Sequence, residues 1–204
     1  MRHNEIFCTT TGSLILEAPQ EIAPTDFNLD DRANNSAFAA RQMKRVTEVI
    51  ENTADYQLVR TGDQQNGWIL LINKKDKTAD YVVQYRVRHW RLLPTTVTQC
   101  VLWRDVAGPH VRGLTMRVFF DYLLQHHNTI TSDGLQTKAG NDFWIGRMVD
   151  AVSKNKRVAV ANLYHRTLEW FDPNGGQSLR DWLDAKHTYG PKSGFQGIRY
   201  LIAN

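Results

Sequence analysis

The sequence predicts a mixed α/β (α+β) fold: a mostly antiparallel central sheet with helices packed on it. Three observations carry this expectation. Between Tyr56 and Asp105, four apolar or alternating runs follow one another across short polar turns, the pattern of an antiparallel meander. From Gly113 the apolar spacing changes to three and four, with Leu114, Val118, Tyr122 and Leu123 on one helical stripe. Beyond it, strand and helix patterns alternate to the end of the chain, as expected of a sheet covered by helices.

Taken in order, Glu5–Thr10 and Ser13–Glu17 flank Thr11-Gly12 and read as a hairpin. Pro19, Pro24 and several acids make 18–31 a loop or linker. Asn34-Asn35-Ser36 reads as an N-cap region for a helix over 37–52, with Phe38, Met43, Val46, Val49 and Ile50 on its apolar face. Tyr56–Thr61, Trp68–Asn73, Asp80–Trp90 and Thr96–Asp105 are the four strands, with a break at Leu92-Leu93-Pro94. A helix over 113–127, a short strand at Thr129–Ser132, a turn at Asp133-Gly134 and a helix over 137–155 follow. Arg157–Phe171 reads as one long strand, and Asp172–Gly176 as a turn. Ser178 caps a helix to about His187, and Phe195–Ile202 closes the chain as a strand.

The 204 residues fit one large domain, read as an N-terminal hairpin or extension over 1–33 and a main domain over 34–204. A 42% hydrophobic and 23% charged composition is that of an ordinary globular chain. The net charge of +4 is mild and its charges are dispersed, so a phosphorylated ligand or polyanion is compatible but not demanded. Cys8 and Cys100 stand in no metal spacing and read as reduced, buried thiols of a cytoplasmic protein. The start of the chain lacks a signal-peptide apolar stretch, and no window reaches the ~20 apolar residues of a membrane span. No metal site is expected: His126-His127 ends a helix, where cations suit the dipole, and no third ligand is spaced to join them.

The chemistry concentrates at the junction between the fourth strand and the helix that follows. A strand entering a turn and then a helix leaves backbone N–H groups free at the helix start, where the dipole favours an anion. Gly113 permits close backbone approach, His110 and Arg112 add donors, and Thr115 adds a hydroxyl.

The order of elements from Tyr56 to Ile202 resembles the GCN5-related N-acetyltransferase fold. In that family, a loop of pattern Gln/Arg-x-x-Gly-x-Gly/Ala opens the helix that carries the acyl-CoA pyrophosphate. Here His110-Val111-Arg112-Gly113-Leu114-Thr115 occupies its place. Gly113 matches, whereas His110 and Thr115 depart from the pattern. Ser132–Thr137, followed by Gly140 and Phe143-Trp144, is similar to the junction between the family's next strand and helix.

The resemblance implies two splayed strands with the pantetheine arm between them. Val101, Leu102 and Trp103 would pair with that arm, and His110, Arg112, Gly113, Leu114, Thr115, Asn141 and Trp144 would complete the site for acetyl-CoA as co-substrate. It also implies direct attack of an amine on the thioester, with a proton returned to the leaving thiolate. Tyr164 stands in for the family's tyrosine acid. Asp133, with Asp105 and Glu169 as alternatives, is the base.

The expected activity is therefore acyl-CoA-dependent N-acetyl transfer. The acceptor amine belongs to a protein, small molecule or nucleic acid, and the partner is acidic or nucleic acid because Arg86, Arg88, Trp90 and Arg91 share one strand end. The alternative is a catalytically degenerate protein of the same fold that binds a host or regulatory protein or a nucleic acid. The chain also resembles acetyltransferase-like proteins of tailed phages, which implies action in the cytoplasm of a bacterial host.

Overall fold

The computed structural model describes residues 12–16, 28–63, 65–105, 108–132, 138–186 and 197–204. Its elements are β1 (Gly12–Leu16), α1 (Arg32–Met43), β2 (Val46–Asn52), β3 (Tyr56–Gly62), β4 (Asn66–Asn73), β5 (Thr78–Trp90), β6 (Leu93–Asp105), β7 (Thr129–Thr131), β8 (Arg157–Asn162), β9 (Thr167–Trp170) and β10 (Ile198–Ala203). Helices lie at Leu114–His127, Lys138–Ser153 and Leu179–Ala185. The class is mixed α and β. The chain divides into two compact units. The first comprises Met1–Ile15, Gln20–Tyr85 and Val101–Thr115; the second comprises Leu16–Pro19, Arg86–Cys100 and Met116–Asn204.

In the first unit the strand order is β2-β3-β4-β5-β6, and β1 pairs with β6. The β2–β3 and β3–β4 pairs are antiparallel. Ile69 to Ile72 on β4 are all buried, so both faces of that strand are covered, as a continuous apolar run requires. Burying side chains of this size contributes about 1.5–3 kcal/mol each. Phe38 on α1 meets Trp68 edge to face at 5.5 Å. Asp31 caps α1 by accepting a hydrogen bond from the Asn34 amide at 2.8 Å. The expected cap at 34–36 is therefore inside the helix, and Asn35 is buried.

The segment over 46–52 is a strand, not the second half of a helix. Four of its seven residues are β-branched, namely Val46, Thr47, Val49 and Ile50, and these favour a pleated surface. Register shifts between Val46 and Glu48 and between Val49 and Glu51 explain the misleading period. Each bulge inserts a residue, so apolar positions fall three apart as they do on a helix.

In the second unit β6 neighbours β7, and the order continues β7-β10-β8-β9. Val97 pairs with Ile130 and Thr98 with Thr131 in parallel; β10 is antiparallel to both β7 and β8. The core is built from Phe119, Leu124, Trp144, Met148, Val158 and Leu201, each at most 1% exposed. The helix Leu114–His127 contains a π-helical stretch, Arg117–Leu123, and the Leu124 amide bonds back to Phe119 O. The expected stripe of Leu114, Val118, Tyr122 and Leu123 is buried. Asn128, in the left-handed region at φ 61°, ends this helix.

The expected long strand over 157–171 is two strands, β8 and β9, joined by a turn at 163–166. The Asn162 carboxamide oxygen accepts from the Tyr164 and His165 amides at 3.0 and 3.1 Å. This side-chain-to-backbone pattern competes with strand continuation, and it moves Tyr164 and His165 from a strand into a turn. The break expected at Leu92-Leu93-Pro94 is narrower, a two-residue turn at Arg91-Leu92. Asp133-Gly134, most of the 5–17 hairpin and Phe195 lie outside the described residues.

Candidate functional site

The site builds up from the end of β6, within the first unit. Leu102 and Trp103 are buried, and the Val101 backbone continues the same strand. After β6 the chain turns repeatedly: Gly108 N–H donates to Asp105 O at 3.1 Å, and Leu114 N–H donates to Val111 O at 3.1 Å. His110 is half-buried and its ring lies 4.6 Å from that of Tyr56. Arg112 and Gly113 are exposed, whereas Leu114 and Thr115 are buried.

Gly113 has φ +73°, and a side chain built on it would meet nothing within 4 Å. This conformation suits glycine, and the space over it is open. The helix begins one residue later; the Leu114 amide is bonded to Val111 O, so donors for a ligand come from the amides that follow it and from exposed Arg112. Such an arrangement can hold a phosphate or pyrophosphate. Thr115, which departs from the family pattern, is packed inward and adds no exposed bulk at the loop.

A cavity of about 350 Å³ adjoins the loop through Gly108 and Pro109. Asp30, Asp76, Asp80 and Asp105 line it, with Arg32 as the one cation among the described residues and Trp103 as an aromatic wall. Arg32 pairs with Asp76 at 2.8 Å. The Trp103 indole N–H donates to Asp30 at 3.2 Å. Asp80 is 7% exposed and accepts from Asn73 at 3.2 Å and from Thr78 at 3.3 Å. Its carboxyl titrates above the ordinary carboxylate range, chiefly because burial penalises the charge; those two hydrogen bonds oppose the shift. Four carboxylates against one guanidinium favour a cationic ligand, and a carboxylate of raised pKa is a better proton acceptor than a free one.

Sequence reasoning named Trp103, Asp105 and the 110–115 loop, and it missed Asp30, Asp76 and Asp80. The signal for Asp80 was present: in a strand of period two, Thr78, Asp80 and Gln84 share a face, while Ala79, Tyr81, Val83 and Tyr85 make the other.

The remaining expected residues lie in the second unit. Trp144 is fully buried, 5.9 Å from the Phe119 ring. Asn141 is 7% exposed and accepts the Tyr200 hydroxyl proton, so both are committed to packing. Tyr164 is 63% exposed. Glu169 pairs with Lys186. Asp133 lies outside the described residues.

Among the described residues no group of three or more His, Cys, Asp and Glu side chains could hold a metal ion. Among the same residues no helix is long and apolar enough to cross a membrane. The chain matches no family model, curated protein or solved structure.

Proposed function

We propose that the chain is an N-acyltransferase that takes its acyl group from acetyl-CoA. The observation that carries this reading is the delivery of exposed Arg112 and open, positive-φ Gly113 into the start of the helix Leu114–His127. The parallel pairing of β6 with β7, joined through that loop and helix, supports the same reading. The pyrophosphate of the co-substrate lies on the loop and the helix N-terminus. The acceptor amine enters the acidic cavity as an ammonium and gives its proton to Asp80 or Asp105. The freed nitrogen attacks the thioester carbonyl, the C–S bond breaks, and the proton that the nitrogen sheds on becoming an amide passes through water to the thiolate. Acetyl-CoA supplies only the activated acyl group.

Isothermal titration with acetyl-CoA tests the loop: the wild type binds, and Arg112→Glu and Gly113→Glu do not. No binding by the wild type would overturn the proposal. A second reading, a protein of this fold that binds without turnover, is favoured by the commitment of Asn141 and Trp144 to packing. Release of free thiol from acetyl-CoA in the presence of a panel of primary amines separates the two.

A further inference from the structure

We propose that the second unit carries a binding surface for single-stranded nucleic acid, formed where the β5–β6 hairpin tip packs on β8, β9 and β10. Every residue of this surface belongs to the second unit, so the surface does not rest on the acyl-transfer reading. Leu93 is buried with Ala159, Ala161 and Leu201, and Trp90, Leu163, Leu168 and Trp170 pack against them. This brings together three segments that are far apart in sequence: 86–100, 156–170 and 197–204.

Together the segments hold seven Lys and Arg and a single acid, Glu169. In the β8–β9 register Val160 faces Glu169, whereas Ala159 faces Trp170. Glu169 therefore points to the opposite face, where Lys186 neutralises it. Arg88, Arg91, Arg157 and Arg166 are exposed, as are His89 and His165. The whole unit carries fourteen Lys and Arg against nine Asp and Glu, while the first unit carries eleven against twelve. A polyanion is therefore drawn to the second unit.

The aromatic groups select a single strand over other polyanions. Arg157 already stacks on Trp170, with its guanidinium carbon 3.8 Å from the ring centroid. Tyr164 is 63% exposed, and its ring lies against Gly197, where an added Cβ would come within 2.2 Å of the ring. The glycine packs against the Cδ2–Cε2 side of the tyrosine and leaves a large, supported ring in solvent beside His165 and Arg166. A supported aromatic ring among arginines stacks an unpaired base and holds its phosphates.

Fluorescence anisotropy with labelled oligo(dT) and oligo(U) 20-mers over 50–300 mM KCl tests this, with a labelled oligoglutamate peptide as the competing polyanion. Expected is binding to the oligonucleotides that weakens steeply with salt. The variant Arg88→Glu/Arg91→Glu/Arg166→Glu, altered only at exposed positions, should bind at least tenfold more weakly, with a salt slope shallower by roughly 2. Tyr164→Ala should lose about tenfold with the slope unchanged. Melting temperatures close to the wild type would show that the variants are folded. The proposal is overturned if the wild type fails to bind at 50 mM KCl, if the triple variant binds as the wild type does, if Tyr164→Ala has no effect, or if the glutamate peptide binds equally well.

Discussion

The side chain of Asn35, on α1, completes both backbone hydrogen bonds of Ala79, on β5. Its Nδ2 donates to Ala79 O at 2.9 Å and its Oδ1 accepts from Ala79 N–H at 2.7 Å, while Nδ2 also reaches Leu29 O at 3.1 Å. A buried carboxamide here behaves as a short piece of neighbouring strand. Asn35→Ala leaves these backbone groups without partners and should cost about 3 kcal/mol. Asn35→Asp should cost at least as much, since a carboxylate cannot donate to the two carbonyls. Urea unfolding of both variants measures this, and a loss below 1 kcal/mol for the alanine variant would contradict it.

Gly67→Ala should destabilise by about 2 kcal/mol. A Cβ at Gly67 would lie 2.2 Å from the Tyr85 ring. That ring cannot swing away freely, because its hydroxyl accepts from Arg60 Nε at 2.7 Å. Adding Tyr85→Leu should make the Gly67→Ala change nearly neutral; a double-mutant cycle without coupling would refute the packing argument.

Asp80 gives a pH signature of defined sign. Its pKa is raised in the folded protein by burial, so the folded state holds this proton more tightly than the unfolded chain. Stability from this group is therefore full below the ordinary carboxylate pKa and falls as pH rises through the raised value. Asp80→Asn should gain stability relative to the wild type as pH increases from 4 to 7. A difference curve sloping the other way would show that the carboxylate is stabilised in the cavity.

The same group controls ligand binding. A primary amine such as putrescine should bind the wild type more tightly as pH rises through the raised Asp80 value, and this dependence should flatten in Asp80→Asn. Calorimetry at several pH values reads both. Equal pH dependence in the two proteins would remove Asp80 from amine recognition.

Arg112→Ala, milder than the charge reversal, should weaken acetyl-CoA binding about tenfold, as expected for loss of one charge-assisted contact. The penalty should shrink at high salt because Arg112 is exposed. A penalty independent of salt would indicate a packing role for this side chain.

The meander and the 114–127 helix were legible because period two over Tyr56–Asp105 and period 3.6 over Leu114–Leu123 report burial directly. The strand 46–52 was not, because two bulges erase its alternation. The turn at 163–166 was hidden because its signal is a single asparagine, Asn162, bonding forward to two amides. The acid cavity escaped notice because Asp30, Asp76, Asp80 and Asp105 converge only after folding. Of the basic surface, only the end of one strand, Arg86, Arg88, Trp90 and Arg91, was legible; Arg157, Tyr164 and Arg166 join it from a segment far away in sequence.

The two bulges in β2 also bear on behaviour at high concentration. β2 is the terminal strand in the order of the first unit, with Val49 half exposed between Glu48 and Glu51. A flat margin of that kind would offer a row of amides and carbonyls to a second molecule. Shifted register and flanking carboxylates deny an incoming strand any long match, so the irregularity that disguised this segment as a helix also guards the sheet against fibre-like stacking.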